Sequence, residues 1–348
     1  MHSVLSCFAL SGAPVSCEPY GSGHINGTQL VVCESGTRYI LQHINTNVFR
    51  EPEALMRNIE LVTAHLRTKV SDPRGVLQLV PTHDGLSYAV DGGAYWRVYE
   101  LVEDSVCYQS ADRALFYESA GAFGRFQNQL ADFPATQLVE TIPHFHDTPA
   151  RYEAFYRAVE NNAANRREQV LREIDFVRER EPFSHTLTDL QAAGELPLRV
   201  THNDTKINNV LFDAKTNNAL CVIDLDTVMP GLSVNDFGDA VRFGASTAAE
   251  DERDLSKVHF DLDLYETYLK GYLSTCGESL TKTEIAMLRV GAKMMTLECG
   301  MRFLTDHLNG DVYFHVSRPE QNLDRARTQF RLVEEMEQSW DRMQALLP

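Results

Sequence analysis

Basic residues are scarce in this sequence. Its 348 residues include 32 lysines and arginines against 49 aspartates and glutamates, which gives a formal net charge of −17. A protein with this excess of negative charge has no general affinity for nucleic acids or for anionic membrane surfaces. No apolar run approaches the roughly 18 residues that a membrane-spanning helix needs. We therefore expect neither a nucleic acid nor a membrane as a partner.

Paired cysteines are also missing. The seven cysteines are an odd number, lie far apart and contain no CxxC pair. This spacing argues against a zinc knuckle and a disulfide framework, and it predicts a reduced, cytoplasmic protein. The apolar residues 1–13 lack the basic region and the cleavage context of a signal peptide, so we expect none there.

The first hundred residues predict a small lobe built on a β-sheet. Apolar clusters separated by turn residues indicate strands over residues 15–20, 28–33, 37–42, 86–90 and 94–102. Leu55, Ile59, Val62 and Leu66 recur at helical spacing and predict a helix over residues 52–67. The expected unit is a five-stranded antiparallel sheet with one helix inserted after its third strand.

Beyond the small lobe the pattern becomes mainly helical. Helices are predicted over residues 114–133, 151–180, 261–275, 281–308 and 324–347, the last as a solvated closing element. Thr281 and Glu284 have the spacing of a capping box at the start of the fourth helix. We predict a small lobe over residues 1–103 and a large lobe over residues 104–348, which join at residues 99–103 and leave a cleft between them.

Three polar residues of the segment 198–226 indicate phosphoryl transfer. Asp204 and Asn209 lie in a polar loop after an apolar run, and Asp224 ends a second such run. A carboxylate can accept a hydroxyl proton, while an amide oxygen and a second carboxylate suit a hard cation such as Mg²⁺. The loop alone would also fit a hydrogen-bonded turn, but the joint spacing favours a catalytic site. Lys206 can reach a transferred phosphate, unless it is simply a solvated lysine.

The same segment carries a family resemblance. The pattern HxD(x4)N followed by IDxD resembles the catalytic segment of the aminoglycoside phosphotransferase and choline kinase-like superfamily. More closely, VTHNDTKINNVLFD, CVIDLDTVMPG and DFGDAVRFGA resemble the N-acetylhexosamine 1-kinases of bacteria. The resemblance implies an α+β, bilobal protein-kinase-like fold that uses ATP and Mg²⁺ and takes a small-molecule sugar substrate. It also implies that His202 braces the loop, that Asp236 supports it from a buried position, and that Asp226 assists the metal site.

The turn between the first two predicted strands is a candidate cover for the nucleotide phosphates. Gly21, Ser22 and Gly23 form neither a Walker A loop nor a complete GxGxxG motif, so these residues fit a plain hairpin turn equally well. The sequence GSGHIN resembles a motif of the sugar kinases, which implies that His24 and Asn26 face the sugar.

A phosphate-binding lysine is missing from the third predicted strand. Gln42 stands where related kinases carry this lysine, and this position makes it a candidate contact for the nucleotide. Two explanations remain open: either Lys206 and the metal neutralise the phosphates, or the protein binds nucleotides without catalysing transfer. Position alone makes Glu100 and Val102 the expected backbone contacts for adenine.

A charged face on an apolar helix predicts the sugar site. Glu298 and Arg302 lie four residues apart and share a helix face, while most of their neighbours are apolar. A surface ion-pair ladder is the ordinary explanation, but the apolar surroundings favour the lining of a polar cavity. The segment ECGMRFLTDHLNGDVYF resembles the substrate-binding helix of the hexosamine kinases, which implies that Glu298, Arg302 and Tyr313 contact the sugar. His144 and His146 lack a third ligand, so we expect no metal there.

Taken together, the sequence predicts ATP- and Mg²⁺-dependent phosphorylation of the anomeric hydroxyl of GlcNAc or GalNAc to the sugar 1-phosphate. The nearest alternative is a kinase for another small hydroxyl substrate, such as an amino alcohol, an aminoglycoside or a different sugar. The second is a nucleotide-binding pseudokinase, which Gln42 motivates. The sequence predicts no particular oligomeric state.

Overall fold

The first part of the chain forms an antiparallel β-sheet. The computed structural model describes residues 3–21, 26–110 and 112–348. The strands of the sheet are β1 (Pro14–Pro19), β2 (Gly27–Cys33), β3 (Arg38–Ile44), β4 (Ala89–Asp91) and β5 (Ala94–Glu100). They lie in the order β1-β2-β3-β5-β4, with every neighbouring pair antiparallel. The predicted five-stranded sheet is confirmed, although β4 begins later than expected because the Thr82 N–H and Leu86 O close a turn before it.

Helix α1 (Pro52–Arg67) follows the third strand and packs on the sheet. Proline at the first helical position suits a helix start, since its missing N–H would have no intrahelical partner there. Leu55, Ile59 and Val62 are fully buried, and burying such a side chain contributes about 1.5–3 kcal/mol. The bounds and the buried face are those that the sequence predicted.

Nine further α-helices lie within the described residues. They are α2 (Arg113–Gln129), α3 (Thr148–Asn161), α4 (Leu171–Glu179), α5 (Thr186–Ala192), α6 (Ser233–Gly244), α7 (Leu262–Cys276), α8 (Lys282–Asn309), α9 (Gln321–Gln338) and α10 (Trp340–Ala345). The longest, α8, packs against α3, α6 and α9. Its predicted capping box is confirmed: Thr281 Oγ1 accepts from the Glu284 N–H at 3.1 Å, and Glu284 Oε2 accepts from the Thr281 N–H at 2.7 Å.

Two of the predicted helices are interrupted. The continuous helix expected over residues 151–180 is wrong, because Asn162 takes a left-handed conformation with a φ of 44° and ends α3. The element expected over residues 324–347 is divided at Ser339 into α9 and α10. It is also not a solvated surface element, since Leu332 and Val333 are buried in the core of the large lobe.

Two small sheets support the polar loops of the central segment. Their strands are β6 (Ser105–Cys107), β7 (Arg199–Thr201), β8 (Val210–Asp213), β9 (Ala219–Val222) and β10 (Met229–Gly231). One sheet contains β6, β8 and β9, and β7 pairs with β10 in the other. Gly231 must be glycine, because a Cβ atom there would lie 2.3 Å from Thr201 Oγ1. The Ile223 N–H donates to Asn209 O at 2.9 Å, so the loop after β7 lies beside the turn after β9.

The two lobes meet around α1 and the chain between β5 and β6. The predicted junction at residues 99–103 falls between the end of β5 at Glu100 and the start of β6 at Ser105. Asn58 of α1 donates from Nδ2 to Val139 O and Val228 O at 2.8 and 3.0 Å, which ties this helix to the large lobe. In the described ranges no helix combines the length with the apolar composition that a membrane span requires.

Candidate active site

The loop after β7 is held by two buried aspartates of α6. The His202 and Asn203 N–H groups donate to Asp236 at 2.8 and 2.7 Å, and the Thr205 N–H donates to Asp239 at 3.0 Å. Burial raises the pKa of Asp236, and its backbone donors oppose the rise. Asn203 has a φ of 64°, a left-handed conformation that costs roughly 1 kcal/mol and that these anchors maintain. The predicted supporting role of Asp236 is confirmed.

His202 braces the loop from inside. Its side chain is fully buried and lies edge-on to the rings of Phe123 and Phe126, at centroid distances of 5.4 and 5.9 Å. His202 Nε2 lies 2.9 Å from Ile223 O, and Nδ1 accepts from the Asp204 N–H at 3.3 Å. These partners place the ring proton on Nε2, so Nδ1 accepts within the loop and Nε2 donates to the turn after β9. The ring thus braces the loop, as the resemblance implied.

Asp204 stands at the centre of a short polar network. Lys206 Nζ lies 2.8 Å from Asp204 Oδ1, and the two side chains remain 32% and 30% exposed to the cleft. Asn209 Nδ2 donates to Asp204 Oδ2 at 2.9 Å. Burial alone would raise the pKa of Asp204, but the charge of Lys206 and the hydrogen bonds from Lys206 and Asn209 hold it below its usual value. Asp204 in turn raises the pKa of Lys206 well above the usual lysine value, so both groups are charged at neutral pH.

Asp224 and Asn209 form the candidate metal site. Asp224 follows β9 with a φ of 59° and is accessible from the cleft. Loss of bulk water, together with the Asp226 and Asp204 carboxylates, raises the pKa of Asp224 to about 7. A hard divalent cation stabilises carboxylates crowded in this way, so the residues present fit Mg²⁺. In the described part of the chain no group of three or more His, Cys, Asp or Glu side chains is arranged as a metal cage.

An arginine that the sequence pattern did not single out faces this site from the sheet. Arg97 Nη1 lies 2.5 Å from Asp226 Oδ1, and the two side chains are only 1% and 3% exposed. Arg97 Nε donates to Gln42 Oε1 at 2.9 Å, and Gln42 Nε2 donates to Thr28 Oγ1 at 3.1 Å. Gln42, predicted to contact the nucleotide, therefore connects neighbouring strands and holds the arginine. An arginine inside the strand sequence AYWRVYE was the only signal, and its partner depends on the strand register.

The predicted phosphate turn is described in part. Gly21 has a φ of 75°, a left-handed conformation that favours glycine. Asn26 Nδ2 donates to Asp226 Oδ2 at 2.5 Å, and Asn26 Oδ1 accepts from the Asn45 N–H at 3.0 Å. This side chain therefore joins the turn to the large lobe, and its contact with a sugar stays a prediction. Ser22, Gly23 and His24 lie outside the described residues.

The predicted adenine contacts lie at the junction of the lobes. The Glu100 N–H donates to Gln78 O at 2.9 Å, so this donor is already used within the protein. Val102 O accepts from Ser105 Oγ at 2.7 Å. Both residues border the end of β5, and their role towards adenine stays a prediction.

Glu298 lies buried on α8 with both carboxylate oxygens engaged. His146 Nδ1 donates to Oε1 at 2.8 Å, and Thr148 Oγ1 donates to Oε2 at 2.6 Å. Burial would raise the pKa of Glu298, but His146, Arg302 and Thr148 hold it below its usual value. His146 Nε2 is buried without a hydrogen-bond partner among the described residues. The HxH pattern had drawn attention to this histidine, yet its carboxylate partner is 152 residues away in the sequence.

Arg302 lies one turn further along α8 among aromatic rings. Its guanidinium carbon is 5.1, 6.0 and 5.5 Å from the ring centroids of Phe145, Tyr313 and Phe314. Among residues 3–21, 26–110 and 112–348, nothing forms a hydrogen bond or an ion pair with this guanidinium, so its N–H donors are open to a ligand. Tyr313 is 59% exposed, and its N–H donates to Asp306 Oδ1 at 2.8 Å, which fixes the loop after α8.

The polar face of α8 borders the catalytic loop through Arg242. Arg242 Nη2 donates to Asp239 Oδ1 at 2.9 Å. Asp204 dominates the raised pKa of Lys206, and the charges of Asp239 and Arg242 also act on it. Burial raises the pKa of Cys299 on α8 to about 11, and the charges of Arg242 and Arg302 oppose this rise.

The fold is shared with phosphotransferases of known structure. A model of the phosphotransferase enzyme family (APH) matches residues 16–272 of the chain. An aminoglycoside phosphotransferase from Alicyclobacillus acidocaldarius subsp. acidocaldarius has a TM-score of 0.66 at 12% identity, over 99% of this chain and 95% of that chain. An amicoumacin kinase in complex with AMP-PNP, Ca²⁺ and Ami has a TM-score of 0.59 at 12% identity, over 96% of this chain and 91% of that chain. A choline kinase from Cryptosporidium parvum Iowa II has a TM-score of 0.57 at 15% identity, over 96% of this chain and 91% of that chain. At these identities the likeness shows the fold, which is the predicted kinase-like α+β fold.

Proposed function

Because the chain belongs to the phosphotransferase enzyme family, we propose that it transfers the γ-phosphate of ATP to the anomeric hydroxyl of GlcNAc or GalNAc. Family membership makes it a small-molecule phosphotransferase, and the acceptor is the proposal. The observation that carries it is the ionised Asp204, which lies between Lys206 and Asn209 beside the turn of Asp224. These residues supply a base, a cation and metal ligands around one cleft.

Asp204 is the proposed base. Its carboxylate accepts the proton of the sugar hydroxyl while that oxygen attacks the γ-phosphorus. The new O–P bond forms as the bond from phosphorus to the β–γ bridging oxygen breaks, and ADP leaves with that electron pair. Lys206 offsets the charge that develops on the transferred group. Asn209 and Asp224 would hold Mg²⁺, which neutralises phosphate charge when it is bound.

The nucleotide is proposed to lie between the lobes. Gly21, Ser22 and Gly23 would cover its phosphates, and the backbone of Glu100 and Val102 would contact adenine. Support for this placement comes from the position of the turn between β1 and β2 and from the shared fold.

Arg302 is the proposed anchor for the sugar. Its free donors suit the neutral oxygen atoms of hydroxyl and acetamide groups, and Tyr313 would flank the ring. Glu298 is buried and already accepts from two protein groups, so its contact with the sugar is proposed on the resemblance of its helix alone. His24 and Asn26 are proposed to approach the sugar from the small lobe, on the resemblance of their motif alone.

An acceptor panel with coupled measurement of ADP release tests the proposed substrate. We expect release with GlcNAc or GalNAc, and release at least about a hundredfold slower when Asp204→Asn replaces the wild-type protein. Release with choline, ethanolamine or kanamycin but not with either amino sugar would refute the proposed acceptor and leave a kinase for another hydroxyl substrate.

A nucleotide-binding protein without transferase activity is the second candidate. The observation that favours it is Gln42 at the position of the missing strand lysine. This second candidate would be supported if the purified protein binds Mg-ATP but phosphorylates no acceptor in the panel. The Asp204→Ala variant should then bind the nucleotide as the wild type does.

A further inference from the structure

We propose that Arg97 on β5 takes the place of the missing lysine on β3, as a positioning residue that holds Asp226 and, through it, the metal-binding turn of Asp224. The inference rests on the proposed phosphoryl transfer only for the reason why this turn must be placed accurately. The arrangement of charges is independent of the acceptor.

The strand register brings Arg97 to the position of the missing lysine. β3 and β5 are neighbours, and Gln42 lies directly opposite Arg97 in their pairing. The Gln42 amide accepts from Arg97 Nε at 2.9 Å, so the neutral residue at the lysine position orients a cation on the next strand. Arg97 Nη1 also approaches Met56 Sδ on α1, at 4.0 Å, on the face where α1 packs.

The charge partner of Arg97 lies in the other lobe. Asp226 is the residue within ion-pair distance, whereas Glu53 at the start of α1 accepts instead from Tyr95 Oη, at 3.4 Å. A strand lysine paired with a helix glutamate would join two elements of the small lobe. Arg97 instead joins the small lobe to the turn that contains Asp224, two residues before Asp226.

Burial shows that Arg97 acts through Asp226 and does not contact phosphate itself. The guanidinium is only 1% exposed, and Nε is engaged by Gln42 while Nη1 lies beside Asp226. Burial by itself would lower the pKa of Arg97, but the Asp226 and Asp224 carboxylates raise it well above the usual value. An unpaired Asp226 carboxylate at this depth would be strongly unfavourable.

Asp226 contacts several of the elements that surround the proposed nucleotide site. Asn26, at the end of the phosphate turn, donates to its second carboxylate oxygen at 2.5 Å, and Thr141 Oγ1 donates to its backbone oxygen at 3.1 Å. Arg97 sets the orientation of this carboxylate from the sheet. The ion pair of Arg97 with Asp226 therefore holds the turn of Asp224 in place relative to Asn26.

Nucleotide binding with and without Mg²⁺ tests this role without any acceptor. The variants are Arg97→Gln and the double variant Arg97→Gln/Asp226→Asn, which removes both charges and so avoids a buried unpaired carboxylate. Arg38→Gln is the matched control, since Arg38 is a small-lobe arginine that pairs at the surface with Glu103. Dissociation constants for ATP are measured by calorimetry at several Mg²⁺ concentrations, and folding is checked by circular dichroism.

For the folded double variant we expect the Mg²⁺ concentration needed for tight ATP binding to rise roughly 10–100-fold, the effect of losing a residue that orients a metal ligand. Binding of ATP without metal should stay within about threefold of wild type, and Arg38→Gln should match wild type. A double variant with wild-type Mg²⁺ dependence would overturn the proposal and leave the ion pair a merely structural one. Wild-type protein that binds Mg-ATP normally but phosphorylates no acceptor would refute the proposed function and leave this test intact.

Discussion

At the scale of single residues, the site depends on how charges are paired. Asp204 keeps its carboxylate ionised because Lys206 lies 2.8 Å away, and a carboxylate with a lowered pKa is charged throughout the physiological range. Among the residues that the structure describes, Asp224 forms no ion pair, and burial together with the Asp226 and Asp204 carboxylates raises its pKa. This contrast between the two carboxylates separates the proposed base from the proposed metal ligand.

Replacing Asp204 by Asn should remove the base while keeping the shape of the loop. We expect kcat to fall by about 10²–10⁴-fold, the range for loss of a general base, with little change in the affinity for Mg-ATP. Steady-state kinetics and calorimetry measure the two quantities. Retention of more than about a tenth of the wild-type kcat would contradict the assignment, because that loss is smaller than a missing base should cause.

Arg302→Gln tests the unpaired guanidinium on α8. The hydrogen bonds proposed between this guanidinium and the sugar would be charge-assisted and worth about 1.5–3 kcal/mol, so KM for the sugar should rise roughly 10–100-fold. Thermal stability should change little, because the guanidinium makes only ring contacts among the described residues. Arg325→Gln is the control: Arg325 also lies over a ring, but its donors are engaged by His315 O and Asn322. An unchanged KM in Arg302→Gln would exclude Arg302 from the sugar site.

At the scale of helices and strands, α8 connects the proposed sugar site to the strand that leads into the loop of Asp204. Its first turn is anchored by Glu284, which accepts from Arg199 at 2.5 and 2.7 Å and from Ser233 Oγ at 2.7 Å. Arg199 belongs to β7, the strand that leads into the catalytic loop. The capping box was predicted from spacing alone, but this second use of Glu284 required the tertiary structure.

Glu284→Gln should destabilise the protein by about 3–5 kcal/mol at neutral pH, since it breaks a largely buried ion pair. Burial would raise the pKa of Glu284, but its partners lower it below the usual value. The stabilisation is therefore present above the unfolded-state pKa and is lost as the pH falls through the folded-state pKa. Urea unfolding from pH 7 to pH 3 should show the curves of variant and wild type converging in acid. A constant difference would refute the ion-pair explanation, and the exposed Glu278→Gln should have little effect at any pH.

A helix or strand could be predicted when the residues that determine it lie within its own sequence. α1 and α8 were predicted because their apolar spacing and their start signals lie within the helix itself. The end of α3 was missed because Asn162 adopts a left-handed conformation that its neighbours in sequence do not dictate. The three-residue strands β6 and β10 are too short for periodicity to indicate them.

At the scale of the whole molecule, the site is assembled from residues far apart in the chain. The bond from Asn26 to Asp226 spans 200 residues, and the ion pair of Arg97 crosses between the lobes. The motif around Asp204 could be recognised because its residues are close in sequence and share one loop. The roles of Arg97 and His146 could not, since each depends on a partner that only the fold brings near.

Mg-ATP should stabilise the whole molecule because its proposed site lies between the lobes. At about a hundred times the dissociation constant, binding should add about 2.7 kcal/mol to the free energy of unfolding. We expect a clear rise in melting temperature with Mg-ATP, which EDTA should largely abolish. An equal rise with ATP in EDTA would show that the metal takes no part in nucleotide binding.

The most direct test of the central claim is the position of the new phosphate. The protein is incubated with Mg-ATP and GlcNAc or GalNAc, and the product is examined by phosphorus NMR coupled to the sugar protons. The account predicts a single phosphomonoester coupled to the anomeric proton, formed far more slowly with Asp204→Asn. A phosphate on any other hydroxyl, or no phosphorylated amino sugar under conditions where Mg-ATP binds, would contradict it.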